Sequence, residues 1–143
     1  MKRLLSILAG LILSLASLPA EETDAQASAR SQVLELAGAF ANEGYKLRDG
    51  FWAGRLEPGK PQLLEVNLFA GNEYWFSAAA LPPGEEIALK IFDETGKLLE
   101  AQPYLDGAKA AAGVEPVASG KYLVQIELLK GSPSEFCLIY SYK

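Results

Sequence analysis

Apolar and polar residues alternate along most of the chain beyond residue 50, with the two-residue period of a β-strand that buries one face. In the clearest example, apolar Tyr122, Val124, Ile126 and Leu128 occupy every second position. Clusters of Gly, Pro, Asn, Asp and Ser interrupt the alternation and indicate turns. The pattern predicts eight short strands, at residues 51–56, 63–69, 73–79, 87–92, 97–101, 111–117, 121–128 and 136–140.

A different period precedes the strands, because apolar residues between positions 28 and 44 recur every three or four residues. This spacing predicts one amphipathic helix, with Ser28 or Ser31 as the cap at its start and Gly44 at its end. The polar face carries few basic residues, which favours packing onto the domain over binding to a membrane. The apolar stripe consists of Val33, Leu36, Ala37, Phe40 and Ala41.

Eight strands cannot hide an apolar face without a second layer. The predicted fold is therefore mostly β: a two-sheet antiparallel β-sandwich of about eight strands, jelly-roll-like, preceded by the helix. We expect residues 21–49 to form an amino-terminal segment that contains the helix and residues 50–143 to form the sandwich domain.

The first twenty residues have the composition of a signal peptide. Lys2 and Arg3 form a short basic region, an apolar stretch runs from residue 4 to residue 18, and Pro19-Ala20 comes directly before acidic residues. The stretch is short for a membrane span, which needs about 20 apolar residues. We expect cleavage after Ala20, with cleavage after Ala25 or Ala27 as alternatives, and a secreted or periplasmic domain without a membrane anchor. An uncleaved amino-terminal anchor helix is the alternative to a signal peptide.

Charge and composition exclude several function classes. The formal net charge is −5, and loss of the two basic residues at positions 2 and 3 makes it −7, which disfavours nucleic acid as a partner. Histidine is absent, so the commonest general base and the commonest zinc ligand are both missing. Cys137 is the only cysteine of the sequence and stands within an apolar run, which favours burial over intermolecular disulfide bonding.

Three segments of the predicted strand region resemble the bacterial pre-peptidase C-terminal domain. They are residues 71–77, 87–99 and 119–126, which read GNEYWFS, IALKIFDETGKLL and SGKYLVQI. The resemblance covers about residues 71–142 and implies a secreted jelly-roll sandwich with an accessory role beside peptidases. Some sandwiches of this kind bind calcium, but positions where the family commonly has aspartates hold Asn72-Glu73 and Ile87-Ala88 here. We therefore expect no cofactor, and Asp93 and Glu94 are the weak candidates for a calcium site.

Aromatic residues outside the predicted inward-facing set are the candidates for ligand binding. Trp52, Trp75 and Tyr104 fall in this class, together with Phe92. Exposed aromatic rings can stack on sugars or contact a partner protein, although rings covered by the helix would instead be part of the core. We expect a protein partner or an extracellular glycan, with the protein ranked first.

No arrangement of residues predicts an enzyme. A serine nucleophile without histidine would need a lysine base, and the chain beyond the leader contains no Ser-x-x-Lys sequence. The expected function is that of a non-catalytic binding or accessory module. Two alternatives remain open: a structural envelope component that self-associates through a sheet edge or Cys137, and a hydrolase that uses Glu85, Glu86, Asp93 and Glu94.

Overall fold

The computed structural model describes residues 23–143, so the expected signal peptide at residues 1–20 lies outside the described residues. The predicted architecture is confirmed: two antiparallel sheets form a sandwich, and one helix precedes them. The described chain has nine strands where the pattern predicted eight. The elements are α1 (Asp24–Ala41), β1 (Lys46–Leu47), β2 (Trp52–Leu56), β3 (Gln62–Leu68), β4 (Tyr74–Ala80), β5 (Gly84–Asp93), β6 (Gln102–Asp106), β7 (Lys109–Val114), β8 (Gly120–Gly131) and β9 (Ser134–Tyr142).

The two sheets differ in size. The large sheet has the order β1-β9-β4-β7-β6, and β2 also pairs with β9, next to the short β1. The small sheet has the order β3-β8-β5. The strand β1 belongs to the large sheet although it lies before residue 50, where the sequence placed the start of the sandwich.

The inward faces of both sheets form the main core, and here the alternating pattern is confirmed. On β8 the four residues Tyr122, Val124, Ile126 and Leu128 are buried, as is Val66 on the same face of the neighbouring strand β3. The strand β4 departs from the pattern, because all seven of its residues are buried. Both of its faces are covered, one by the small sheet and the other by the helix.

Helix α1 packs on the outer face of the large sheet. Its first turn is closed by a capping box between Thr23 and Gln26, not by Ser28 or Ser31, so the helix begins earlier than expected. Small apolar side chains make the contact between helix and sheet and form a second core. The second core consists of Ala29, Val33 and Ala37 from the helix with Ala79, Cys137 and Ile139 from β4 and β9.

Among residues 23–143 no helix has the length and apolar character needed to cross a membrane.

The predicted strand at residues 97–101 is absent, and a strand forms instead at Gln102–Asp106. Residues 97–99 run back alongside the end of β5 and do not extend into a strand. Two backbone hydrogen bonds hold them there, from Asp93 N to Lys97 O and from Leu99 N to Ile91 O. The chain then crosses to the large sheet and pairs with β7. All five residues of β6 are exposed, so no alternation marks this edge strand in the sequence.

Candidate functional site

A groove with a volume of about 720 Å³ opens at the end of the sandwich where β4 and β8 begin and β5 and β7 end. Its walls come from both sheets and from residues 97–100, which connect β5 to β6. Groups from several elements therefore converge at this end of the fold, as is common in binding sites of proteins.

The floor and the rim of the groove differ in character. The aromatic side chains of Tyr74, Trp75 and Tyr122 line it but are buried. Two aliphatic side chains are exposed at the rim, Leu98 at 53% and Val117 at 98%. Exposed aliphatic groups beside a groove favour contact with apolar side chains of a ligand.

Carboxylates dominate the charge of the groove. The lining residues include four carboxylates, Glu73, Asp93, Glu100 and Glu115, and one lysine, Lys97. Glu100 and Glu115 form no ion pair with any residue in the described part of the chain. The groove is therefore suited to a ligand with positive charge.

A small polar network fixes one side of the groove. The hydroxyl of Tyr45 donates to Glu73 Oε2 at 2.9 Å, and Lys143 Nζ lies 3.3 Å from the same carboxylate oxygen. The hydrogen bond from the Tyr45 hydroxyl, followed by the contact with the Lys143 ammonium group, holds the pKa of Glu73 below its ordinary value. Burial and the hydrogen bond to Glu73 raise the pKa of Tyr45. Glu73 thus stays ionised and holds the tyrosine in place.

Asp93, one of the two weak metal candidates, organises the turn after β5. Its Oδ1 atom accepts bonds from Thr95 N at 2.9 Å, Thr95 Oγ1 at 2.6 Å and Lys97 N at 2.9 Å. These bonds lower the pKa of Asp93, with the Thr95 hydroxyl as the largest cause. Glu94 is exposed beside it. Within residues 23–143 no cluster of three or more His, Cys, Asp or Glu side chains is placed to hold a metal ion.

Trp75, one of the three predicted binding aromatics, lies at the groove but is only 8% exposed. The Phe40 ring of α1 stacks on its indole with 4.3 Å between ring centroids. Gly113 of β7 lies against the other face, where a Cβ atom would come within 2.9 Å of the indole. The indole is thus clamped between helix and sheet, and neither face is open for stacking on a ligand.

Trp52 and Tyr104 do not line the groove. Trp52 is half-buried, stacks on Tyr140 at 5.9 Å and carries the Arg48 guanidinium 5.2 Å from its ring centroid. Tyr104 is 41% exposed on the edge strand β6. The structure therefore does not bring the three predicted aromatics together.

The exposed rim residues of the groove were missed by reasoning from sequence. Leu98, Val117, Glu100 and Glu115 stand in connections between strands, and only the meeting of the two sheets makes them neighbours. Neither a protein-family model nor a curated protein matches this chain.

Proposed function

We propose that this chain is a secreted or periplasmic, non-catalytic binding module, related to pre-peptidase C-terminal domains, that holds an extended segment of a partner protein. The groove at the end of the sandwich is the single observation that supports this function most strongly. It is open, formed by both sheets, and combines apolar and charged groups that are exposed to solvent.

The character of the groove supports a protein partner over a glycan. Sugar rings bind by stacking on open aromatic faces. In the groove, both faces of Trp75 are covered by Phe40 and Gly113, and Tyr74 and Tyr122 are buried in the main core. The half-buried ring of Tyr45 has Lys143 Nζ 4.5 Å from its centroid. Aliphatic side chains of a peptide instead match the exposed Leu98 and Val117.

The charge of the groove indicates the composition of the bound segment. Glu100 and Glu115 line the same groove as the exposed Leu98 and Val117 and have no ion-pair partners among the described residues. A segment that alternates lysine or arginine with leucine or valine would place both kinds of side chain against matching groups. Complementary charge of this kind accelerates association and selects the partner.

Fluorescence anisotropy with two labelled peptides tests the proposal. Protein made from the full sequence is titrated with a peptide that alternates Lys and Leu and with a matched peptide that alternates Glu and Leu. We expect binding of the first peptide and about tenfold weaker binding after Glu115→Lys, since a direct charge reversal removes about 1.4 kcal/mol or more. Glu35→Lys reverses the same charge on an exposed helix residue outside the groove and is the matched control.

Equal affinity for both peptides, or equal losses of affinity in the two variants, would refute the groove as the binding site.

The proposed localisation is tested separately. Cell fractionation and amino-terminal sequencing of the accumulated protein should find it outside the cytoplasm and starting at Glu21. A cytoplasmic protein that still begins at Met1 would contradict the proposed localisation.

A further inference from the structure

Strand β3 has an open edge. It lies at the margin of the small sheet and pairs with β8 over all seven residues. No helix or strand in the described part of the chain pairs with its other side. An edge of this kind presents a row of backbone N–H and C=O groups that can pair with another chain.

The other sheet edges carry features that limit pairing. β6 contains Pro103, which has no backbone N–H to donate. Three backbone hydrogen bonds engage β5: Ile87 N donates to Gly107 O, Leu99 N donates to Ile91 O, and Asp93 N donates to Lys97 O. On the remaining edge, β1 has two residues and β2 has five. β3 is the longest edge strand without a proline or a bulge among the described strands.

We infer that two copies of this chain pair antiparallel along β3, about a two-fold axis at Val66. In this register Glu65 lies opposite Asn67 of the second copy. Leu63 lies opposite Phe69, which directly follows β3 and whose backbone N donates to Tyr74 Oη at 2.9 Å, so these two residues meet through their side chains. Leu63 is 56% exposed and Phe69 is 59% exposed, so pairing covers two apolar side chains that each copy leaves in solvent. The small sheets then join into one continuous sheet of six strands.

The backbone pattern supports this register. Alternate residues of an antiparallel strand direct their backbone groups toward opposite neighbours. Pairing about a residue places odd positions opposite odd positions and even opposite even. The backbone N–H and C=O groups that point away from β8 in one copy therefore meet the equivalent groups of the second copy. A register centred between two residues would instead place them opposite backbone groups of the second copy that are already bonded to its own β8.

Charge distinguishes this register from its neighbours. An axis at Glu65 would place that carboxylate opposite itself, and like charges directly opposite are destabilising. An axis at Asn67 would place Leu63 opposite Gly71 and leave Glu65 opposite Phe69. With the axis at Val66, Glu65 keeps its ion pair to Lys121 Nζ at 3.1 Å and faces a neutral amide.

Sedimentation velocity of the purified full-sequence protein over a range of concentrations tests the inference. We expect a monomer–dimer equilibrium. Leu63→Lys and Phe69→Lys should each raise the dissociation constant of the dimer about tenfold, because each dimer contains the substitution twice and cross-strand pairs contribute up to about 1 kcal/mol each. The combination of Leu63→Lys with Phe69→Glu should restore association, since the two new charges lie opposite each other only in this register.

Leu105→Lys is the matched control, because Leu105 is an exposed apolar residue on the edge strand that contains Pro103. Circular dichroism establishes that each variant is folded, which is expected because positions 63 and 69 are at the surface. Three results would overturn the inference: a monomer at all concentrations, a dimer lost in Leu105→Lys but kept in Leu63→Lys, or a double variant as weak as the single variants.

Discussion

Replacing Gly113 with alanine tests whether the Trp75 indole is held rigidly between helix and sheet. The added Cβ atom would lie 2.9 Å from two indole atoms and 3.1 Å from a third. The ring cannot move away freely, because Phe40 stacks on its opposite face at 4.3 Å. The substitution must therefore displace α1 or distort β7.

The size of the effect follows from two opposing contributions. Overpacking a well-filled site typically costs about 1–3 kcal/mol. Replacement of a strand glycine lowers the entropy of the unfolded chain and offsets roughly 0.5–1 kcal/mol of that cost. We expect the free energy of unfolding to fall by about 1–2 kcal/mol, which lowers the urea midpoint by roughly 0.5–1 M.

Urea unfolding followed by tryptophan fluorescence measures this change. Gly38→Ala is the control, because Gly38 lies within α1 and a Cβ atom there meets nothing within 4 Å. It should stabilise the protein by up to about 1 kcal/mol through helix propensity. In a Phe40→Leu background the cost of Gly113→Ala should shrink, since a smaller partner lets the indole move. Equal effects of Gly113→Ala and Gly38→Ala would refute the clamp.

Three further predictions concern single side chains. Ser134→Ala should raise the free energy of unfolding by about 1 kcal/mol, because its buried hydroxyl has no hydrogen-bond partner among the described residues, and a loss of stability on urea unfolding would contradict this. The pKa of Glu73 is lowered by Tyr45 and Lys143, so Glu73→Gln should be less stable than the native protein above the ordinary carboxylate pKa, and this difference should disappear as the pH falls through the folded-state pKa. A difference in the free energy of unfolding between the native protein and Glu73→Gln that is the same at every pH would contradict this pH dependence. Cys137 is fully buried, so a thiol reagent should label it only as fast as the protein opens, and rapid labelling under native conditions would show that α1 does not cover it.

The sequence predicts best those strands that have one face buried and the other face exposed to solvent. The strands β3 and β8 satisfy this condition, and the alternation of Val66, Tyr122 and Val124 located them to within a few residues. β4 was located as well, but its sequence could not show that Trp75 is covered, because the covering Phe40 is 35 residues away in the chain.

The parts that sequence predicts poorly depend on contacts between distant segments. β6 has both faces exposed and includes Pro103, so neither alternation nor propensity identifies it. The start of α1 was predictable in principle, since Thr23 and Gln26 have the spacing of a capping box. The groove was not predictable, because Leu98 and Val117 become neighbours only when both sheets close.

The position of β9 constrains the order in which this protein can fold. β9 is the last strand in chain order, yet β1, β2 and β4 all pair with it, and α1 packs across it. A nascent chain whose residues 134–142 are still inside the ribosome lacks the strand with which β1, β2 and β4 pair and on which part of α1 packs. The native state is therefore expected to form after synthesis has passed Tyr142, and earlier intermediates should remain open and accessible to chaperones.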